Sequence, residues 1–303
     1  LVSSLLLAHR IKDLKKISWF LLIAISFQAL ILIYVFFNPS IKLLFNNYIV
    51  YGANFTAENL YRSFGITSSS GAALSLTQAL GSGIGFYLIS QYKRFNWKAF
   101  ILIFLCFFST FFVGRTGLVV SLIFLLLYII TSFNIKNTLT YVFIFIIVSS
   151  IGIGSIFKTN LDSIEDFSTE YFFGWLSQAI EFRDNKTINA LTNEQSIPDL
   201  TIQTLIIGTG TISKDGANTS GHDSGFVQTY YSLGLLATVL FYLSLCLFMK
   251  NNFKNFNTKL LYLIIFLILI LEFKEPFLFK YREGFLILTI LFSHKFYRNF
   301  KSI

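Results

Sequence analysis

The chain has 303 residues, 54% of them hydrophobic and 13% charged, with a mean hydropathy of +0.67. Soluble domains carry roughly 25% charged residues, so the composition excludes an ordinary water-soluble enzyme core and indicates an integral membrane protein. The net charge of +9 invites a nucleic-acid reading, but the lysines and arginines crowd into short loops between apolar runs, which is a signal of membrane topology instead.

In chain order, residues 1–8 are apolar but too short to span. They are read as the end of a helix that starts upstream, so further N-terminal helices are expected to precede this chain. Apolar runs then lie at about 17–37, 71–92, 99–114, 117–133, 139–157, 226–249, 260–273 and 284–293. A bilayer of about 30 Å asks for roughly 20 residues per helix; the last two runs are short and need flanking residues, tilt or a break. No alternating strand pattern occurs, which argues against a β-barrel.

The loops 9–16, 93–98, 134–138, 250–259 and 294–303 hold more than half of the 24 basic residues, and Asp13 is their only acid. That set is expected in the cytoplasm. Trp19 and Trp97 flank spans at the same border, as aromatic belts do. The opposite set is 38–70, the corner at 114–116, 158–225 and 274–283. The loop 158–225 carries Tyr171, Phe172, Phe173, Trp175 and Pro198, and is too long for a connector. The predicted fold class is all-α: residues 1–303 form a single polytopic transmembrane helix bundle with a large, partly helical extracytoplasmic loop. Function is expected on the outer face, where cytosolic ATP and nucleotide sugars are out of reach.

Cys106 and Cys246 fall inside apolar runs, so neither a disulfide nor a metal site is expected. His9, His222 and His294 are too scattered to ligate one ion, and no metal or other cofactor is anticipated. The run 71–92 is rich in small residues, including Gly81, Gly83 and Gly85. These allow close helix packing, or alternatively a groove for a lipid tail.

Chemistry-bearing residues gather at the outer border. Arg62 precedes the run at 71–92, Arg115 stands in the tight corner Gly114-Arg115-Thr116-Gly117, Arg183 lies in the large loop and Arg282 precedes the last run. Arginine grips phosphate oxygens bidentately and stays charged near lipid; snorkelling to the interface is the plainer reading. A glycine-rich polar stretch, Gly208-Thr-Gly210 onward, ends in His222-Asp223-Ser224-Gly225 just where the apolar run 226–249 begins. His222 or Asp223 could act as a general base, or this segment could simply cap the helix. Glu272, in Glu272-Phe-Lys-Glu-Pro276, is a further base candidate or the partner of a border arginine. Gly208-Thr-Gly210 lacks the third glycine of a dinucleotide fingerprint.

Together these segments resemble the O-antigen polymerase and O-antigen ligase superfamily of bacterial membrane glycosyltransferases. The resemblance rests on Tyr61-Arg62-Ser63-Phe64-Gly65, on Gly114-Arg115-Thr116-Gly117-Leu118, on Leu205-Ile-Ile-Gly-Thr-Gly210 with His222-Asp-Ser-Gly-Phe-Val-Gln228 and Leu233-Gly234, and on Glu272-Phe-Lys-Glu-Pro276. Gly174-Trp175 stands where the ligase branch has an arginine before the tryptophan, with Arg183 further on. The resemblance implies a metal-independent enzyme of the bacterial inner membrane, multi-pass, with its active side periplasmic. Its donor would be an oligosaccharide on undecaprenyl diphosphate. Arg62, Arg115, Arg183 and Arg282 would hold the diphosphate, and His222, Asp223 or Glu272 would deprotonate the acceptor. The polymerase branch extends a surface or capsular polysaccharide, with a chain-length regulator as a candidate partner. A ligase of the same superfamily, or a flippase for the lipid-linked oligosaccharide, are the alternatives.

Overall fold

The computed structural model describes residues 14–38, 72–90, 96–131, 201–211, 213–214, 217–218, 220, 224–252 and 271–273, with single positions such as 92, 265, 268, 269 and 278. The described residues are almost entirely helical, as the all-α expectation has it. The expected span at 284–293, all but two residues of that at 139–157, much of that at 260–273 and most of the loop 158–225 lie outside the described residues. The chain divides into two compact units, Asp13–Ser177 and Leu1–Lys12 with Gln178–Ile303.

Among the described residues, the first unit has the helices α1 (Leu14–Phe37), α2 (Ala72–Ser90), α3 (Trp97–Val113) and α4 (Arg115–Thr131). They match the apolar runs predicted at 17–37, 71–92, 99–114 and 117–133 to within a few residues. Among the described residues, the 23-residue stretch Lys15–Phe37 is the helix long and apolar enough to cross a membrane. Both of its sides are apolar. Phe20, Ile23, Phe27 and Leu30 are exposed, whereas Ser18 and Ser26 are buried beside Leu22 and Leu32.

Helix α2 packs against α1, α3 and α4, and its small residues are the reason. A Cβ at Gly81 would sit 2.6 Å from Ile25 Cγ2 and 2.8 Å from Cys106 Sγ, and one at Gly83 would sit 2.9 Å from the Phe124 ring. A Cβ at Gly85 would collide with Ile103. The three glycines therefore close on protein, which favours helix packing over the lipid-tail groove. The seam also carries polar bonds. Ser109 Oγ donates to Gln78 Oε1 at 3.1 Å, and Ser26 Oγ donates to Leu22 O at 2.6 Å and lies 3.3 Å from Cys106 Sγ. At one end Trp19 Nε1 donates to Tyr92 OH at 3.0 Å, and Lys15 Nζ sits 4.0 Å from the centre of the Tyr92 ring.

One residue, Gly114, joins α3 to α4. Its N–H donates to Thr110 O and closes α3. Helix α4 opens with Arg115, and the orphan N–H of Gly117 in its first turn is taken by Ser75 Oγ of α2 at 3.2 Å. The two backbones touch here: a Cβ at Gly117 would overlap the carbonyl of Ser75, whose carbon would be only 2.5 Å away. Because backbone cannot swing aside as a side chain can, Gly117→Ala is expected to cost about 2–3 kcal/mol through overpacking. A lowered melting temperature of the detergent-solubilised protein would read it out. An unchanged one would mean that α2 and α4 do not meet at this point.

The second unit contains α5 (Ile202–Ile207), a hairpin of β1 (Ser213–Lys214) and β2 (Ala217–Asn218), α6 (Gly225–Leu233) and α7 (Leu235–Asn252). The hairpin is antiparallel, with Ser213 opposite Asn218 and Lys214 opposite Ala217. Asp215-Gly216 lies between its strands, the composition that two-residue hairpin loops favour. The apolar run expected as one span at 226–249 is two helices. It breaks at Gly234, whose φ of +80° lies in the left-handed region.

Candidate functional site

The break at Gly234 is built by the glycine-rich stretch that precedes it. Gly208 and Gly210 also have positive φ, +77° and +74°, so the chain leaves α5 through two left-handed residues. This turn lies against the end of α6. Thr209 N donates to Tyr231 O and Gly210 N donates to Ser232 O, both at 2.9 Å, satisfying carbonyls of the last turn of α6. The approach is backbone on backbone. A Cβ on Gly208 would overlap Ser232 O and lie 2.5 Å from Gly234 N, and one on Gly234 would overlap Ile206 O. The motif Gly208-Thr-Gly210 is thus a docking device for the helix break.

Helix α6 turns a polar face inward. Ser224 stands at its N-cap with extended backbone (φ −62°, ψ 130°), without a side-chain capping bond to the helix. Gly225, Gln228, Thr229 and Ser232 are all buried. This face leads to a chain of three buried groups. Thr229 Oγ1 lies 3.1 Å from Tyr242 OH, and Tyr242 OH donates to Glu272 Oε1 at 2.9 Å. With the tyrosine proton directed at the carboxylate, Thr229 is the donor in the first link. The second oxygen, Glu272 Oε2, accepts the N–H of Leu278 at 2.9 Å. Glu272 has no solvent exposure, and Tyr242 retains only 8%. The Phe226 ring covers Tyr242 with centroids 4.7 Å apart.

A buried carboxylate is tolerable only with partners that replace its hydration. Here they include a phenol and a backbone amide, and the carboxylate ties residue 272 to α7 and α6 at once. The sequence offers Glu272 as a base or as the partner of an arginine; the structure adds Tyr242 and Thr229, which sequence reasoning does not single out. The available signal is that an acid in an apolar run needs a donor, and Tyr242 is a hydroxyl set in an apolar helix.

Arg115 is the first residue of α4, at the end of that helix where N–H groups are unpaired by the helix itself. His222, Asp223, Arg62, Arg183 and Arg282 lie outside the described residues. Among the described residues no group of three His, Cys, Asp or Glu side chains comes together. Neither models of protein families, nor curated proteins, nor solved structures give a match to this chain.

Proposed function

We propose that the chain is a polytopic membrane glycosyltransferase of the O-antigen polymerase type. It moves a growing glycan from undecaprenyl diphosphate onto the next lipid-linked repeat unit, at the periplasmic face of the bacterial inner membrane. The observation that carries the reading is the link from Glu272 through Tyr242 to Thr229 on α6. It connects two of the segments on which the resemblance rests, the one opening at His222 and the one around Glu272. The docking of Gly208–Gly210 on Gly234 ties in a further part of the first segment.

In this reading the helices expose their apolar sides to lipid, and the serines, Gln78 and Glu272 face inward. His222-Asp223, immediately before the N-cap Ser224, supplies the base that takes the acceptor proton. Glu272 acts one step back: through Tyr242 and Thr229 it fixes the first turns of α6 and hence the place of that base. Arg115, with Arg62, Arg183 and Arg282, offsets the charge that develops on the departing diphosphate. No metal is required by this division of labour.

Deleting the gene and resolving the surface polysaccharide on a gel tests the proposal. The expected result is collapse of a ladder to a single repeat unit. Long lipid-linked chains that fail to be attached would indicate a ligase, and lipid-linked units held on the cytoplasmic side a flippase. An unchanged ladder would remove the proposal.

A further inference from the structure

Helix α5 belongs to the stretch 158–225, which the sequence places wholly outside the membrane. Its surface does not suit water. Ile202 is 78% exposed, Ile206 57% and Ile207 68%. The helix cannot turn these groups away. The backbone bonds from Thr209 and Gly210 to α6, and the close approach of Gly208 to Gly234, fix it to the break between α6 and α7. Just beyond the break, Leu235 and Leu236 of α7 are exposed as well, so the apolar surface continues from one helix to the other.

The depth follows from length. The apolar run of α7 ends at Lys250, followed by Asn251 and Asn252. From Leu235 to Met249 it measures roughly 22 Å at about 1.5 Å per residue. The hydrocarbon core of a bilayer is about 30 Å thick. With Lys250 at one interface, the hydrocarbon therefore extends roughly 8 Å beyond Leu235 along the line of α7, past the break at Gly234. Helix α5 is docked at that level.

We propose that α5 is a re-entrant element, held at acyl-chain depth in the outer leaflet with Ile202, Ile206 and Ile207 against lipid. This rests on the reading of α6 and α7 as a membrane crossing. The lipid face runs across α5 and α7, from Ile202, Ile206 and Ile207 to Leu235 and Leu236.

The test uses the full chain in lipid nanodiscs, with Cys106 and Cys246 replaced by alanine and one cysteine introduced as Ile206→Cys or Leu243→Cys. Each is labelled with a small fluorophore and exposed to lipids bearing a nitroxide at a shallow or a central acyl position, or to aqueous iodide. The expected result is loss of fluorescence from position 206 with the shallow nitroxide and from position 243 with the central one, with iodide ineffective at both. Quenching of position 206 by iodide alone, while position 243 still responds to lipid, would overturn the inference and leave the crossing intact. Quenching of position 206 by neither agent would mean that protein, such as a second copy, covers the face, and would also overturn it. If position 243 fails to respond to lipid, the crossing falls and the inference with it.

Discussion

Gly208→Ala is expected to unfold the break between α6 and α7, lowering stability by about 2–5 kcal/mol. Two costs combine. An alanine at φ +77° carries about 1–2 kcal/mol of left-handed strain. Its Cβ would also overlap Ser232 O and crowd Gly234 N, and both are backbone atoms of the helix end on which the turn is docked. Overpacking of this kind adds about 1–3 kcal/mol. Gly210→Ala is the internal control. Its φ of +74° is nearly the same, but nothing lies within 4 Å of the added carbon. It should therefore lose only the strain, about 1–2 kcal/mol. Thermal melts of both variants in the same detergent would separate the terms. Equal losses would show that the turn does not press on α6, and the docking arrangement would have to be abandoned.

Glu272→Ala is expected to cost about 2–6 kcal/mol. It strands the Tyr242 hydroxyl and the Leu278 N–H in a buried setting, each at about 1–3 kcal/mol. Glu272→Gln should cost under about 1 kcal/mol, because the network can reverse. The amide oxygen takes the N–H of Leu278, the amide nitrogen donates to Tyr242 OH, and the tyrosine then donates to Thr229. The pair divides two roles for the glutamate. If it fixes α6 for a base at His222-Asp223, the glutamine variant keeps both its fold and its glycan transfer. A glutamine variant that melts normally but loses transfer by on the order of 10²-fold or more would hand the base role to Glu272 itself. Tyr242→Phe belongs in the same series, since it removes the hydroxyl between Thr229 and Glu272 without emptying the site.

The helices of the first unit are legible because apolar length alone marks them. The runs at 17–37, 71–92, 99–114 and 117–133 need only hydropathy and the glycine at 114. The break at Gly234 is not visible in that way. Leu233-Gly234-Leu235 reads as continuous apolar sequence, and glycine within a helix is a modest cost. What breaks the helix is a partner some 26 positions earlier, where Ile206 and Gly208 take the space and the N–H groups of Thr209 and Gly210 take the carbonyls. The same holds for Glu272: its position in an apolar run shows that it needs donors, but the donors lie on α7 and on its own backbone at Leu278. The hairpin at Ser213–Asn218 was open to view in Lys214-Asp-Gly-Ala217, and hydropathy scanning passes over it.

The crowding of three helices around α2 sets an order of events. In the membrane reading, helices gain little from hiding oil from water, and shape fit has to hold them together. Gly81, Gly83 and Gly85 find their fit on α1, α3 and α4, but α3 and α4 follow α2 in the chain. During synthesis α2 is therefore made before two of its three neighbours exist, with Ser75, Gln78 and Ser82 still unburied. It has to wait beside an insertion machinery or a chaperone until the pair joined at Gly114 arrives. Newly made chains are most open to quality-control proteolysis in that interval, and substitutions in α2 that hardly alter the finished protein can still reduce how much of it is made.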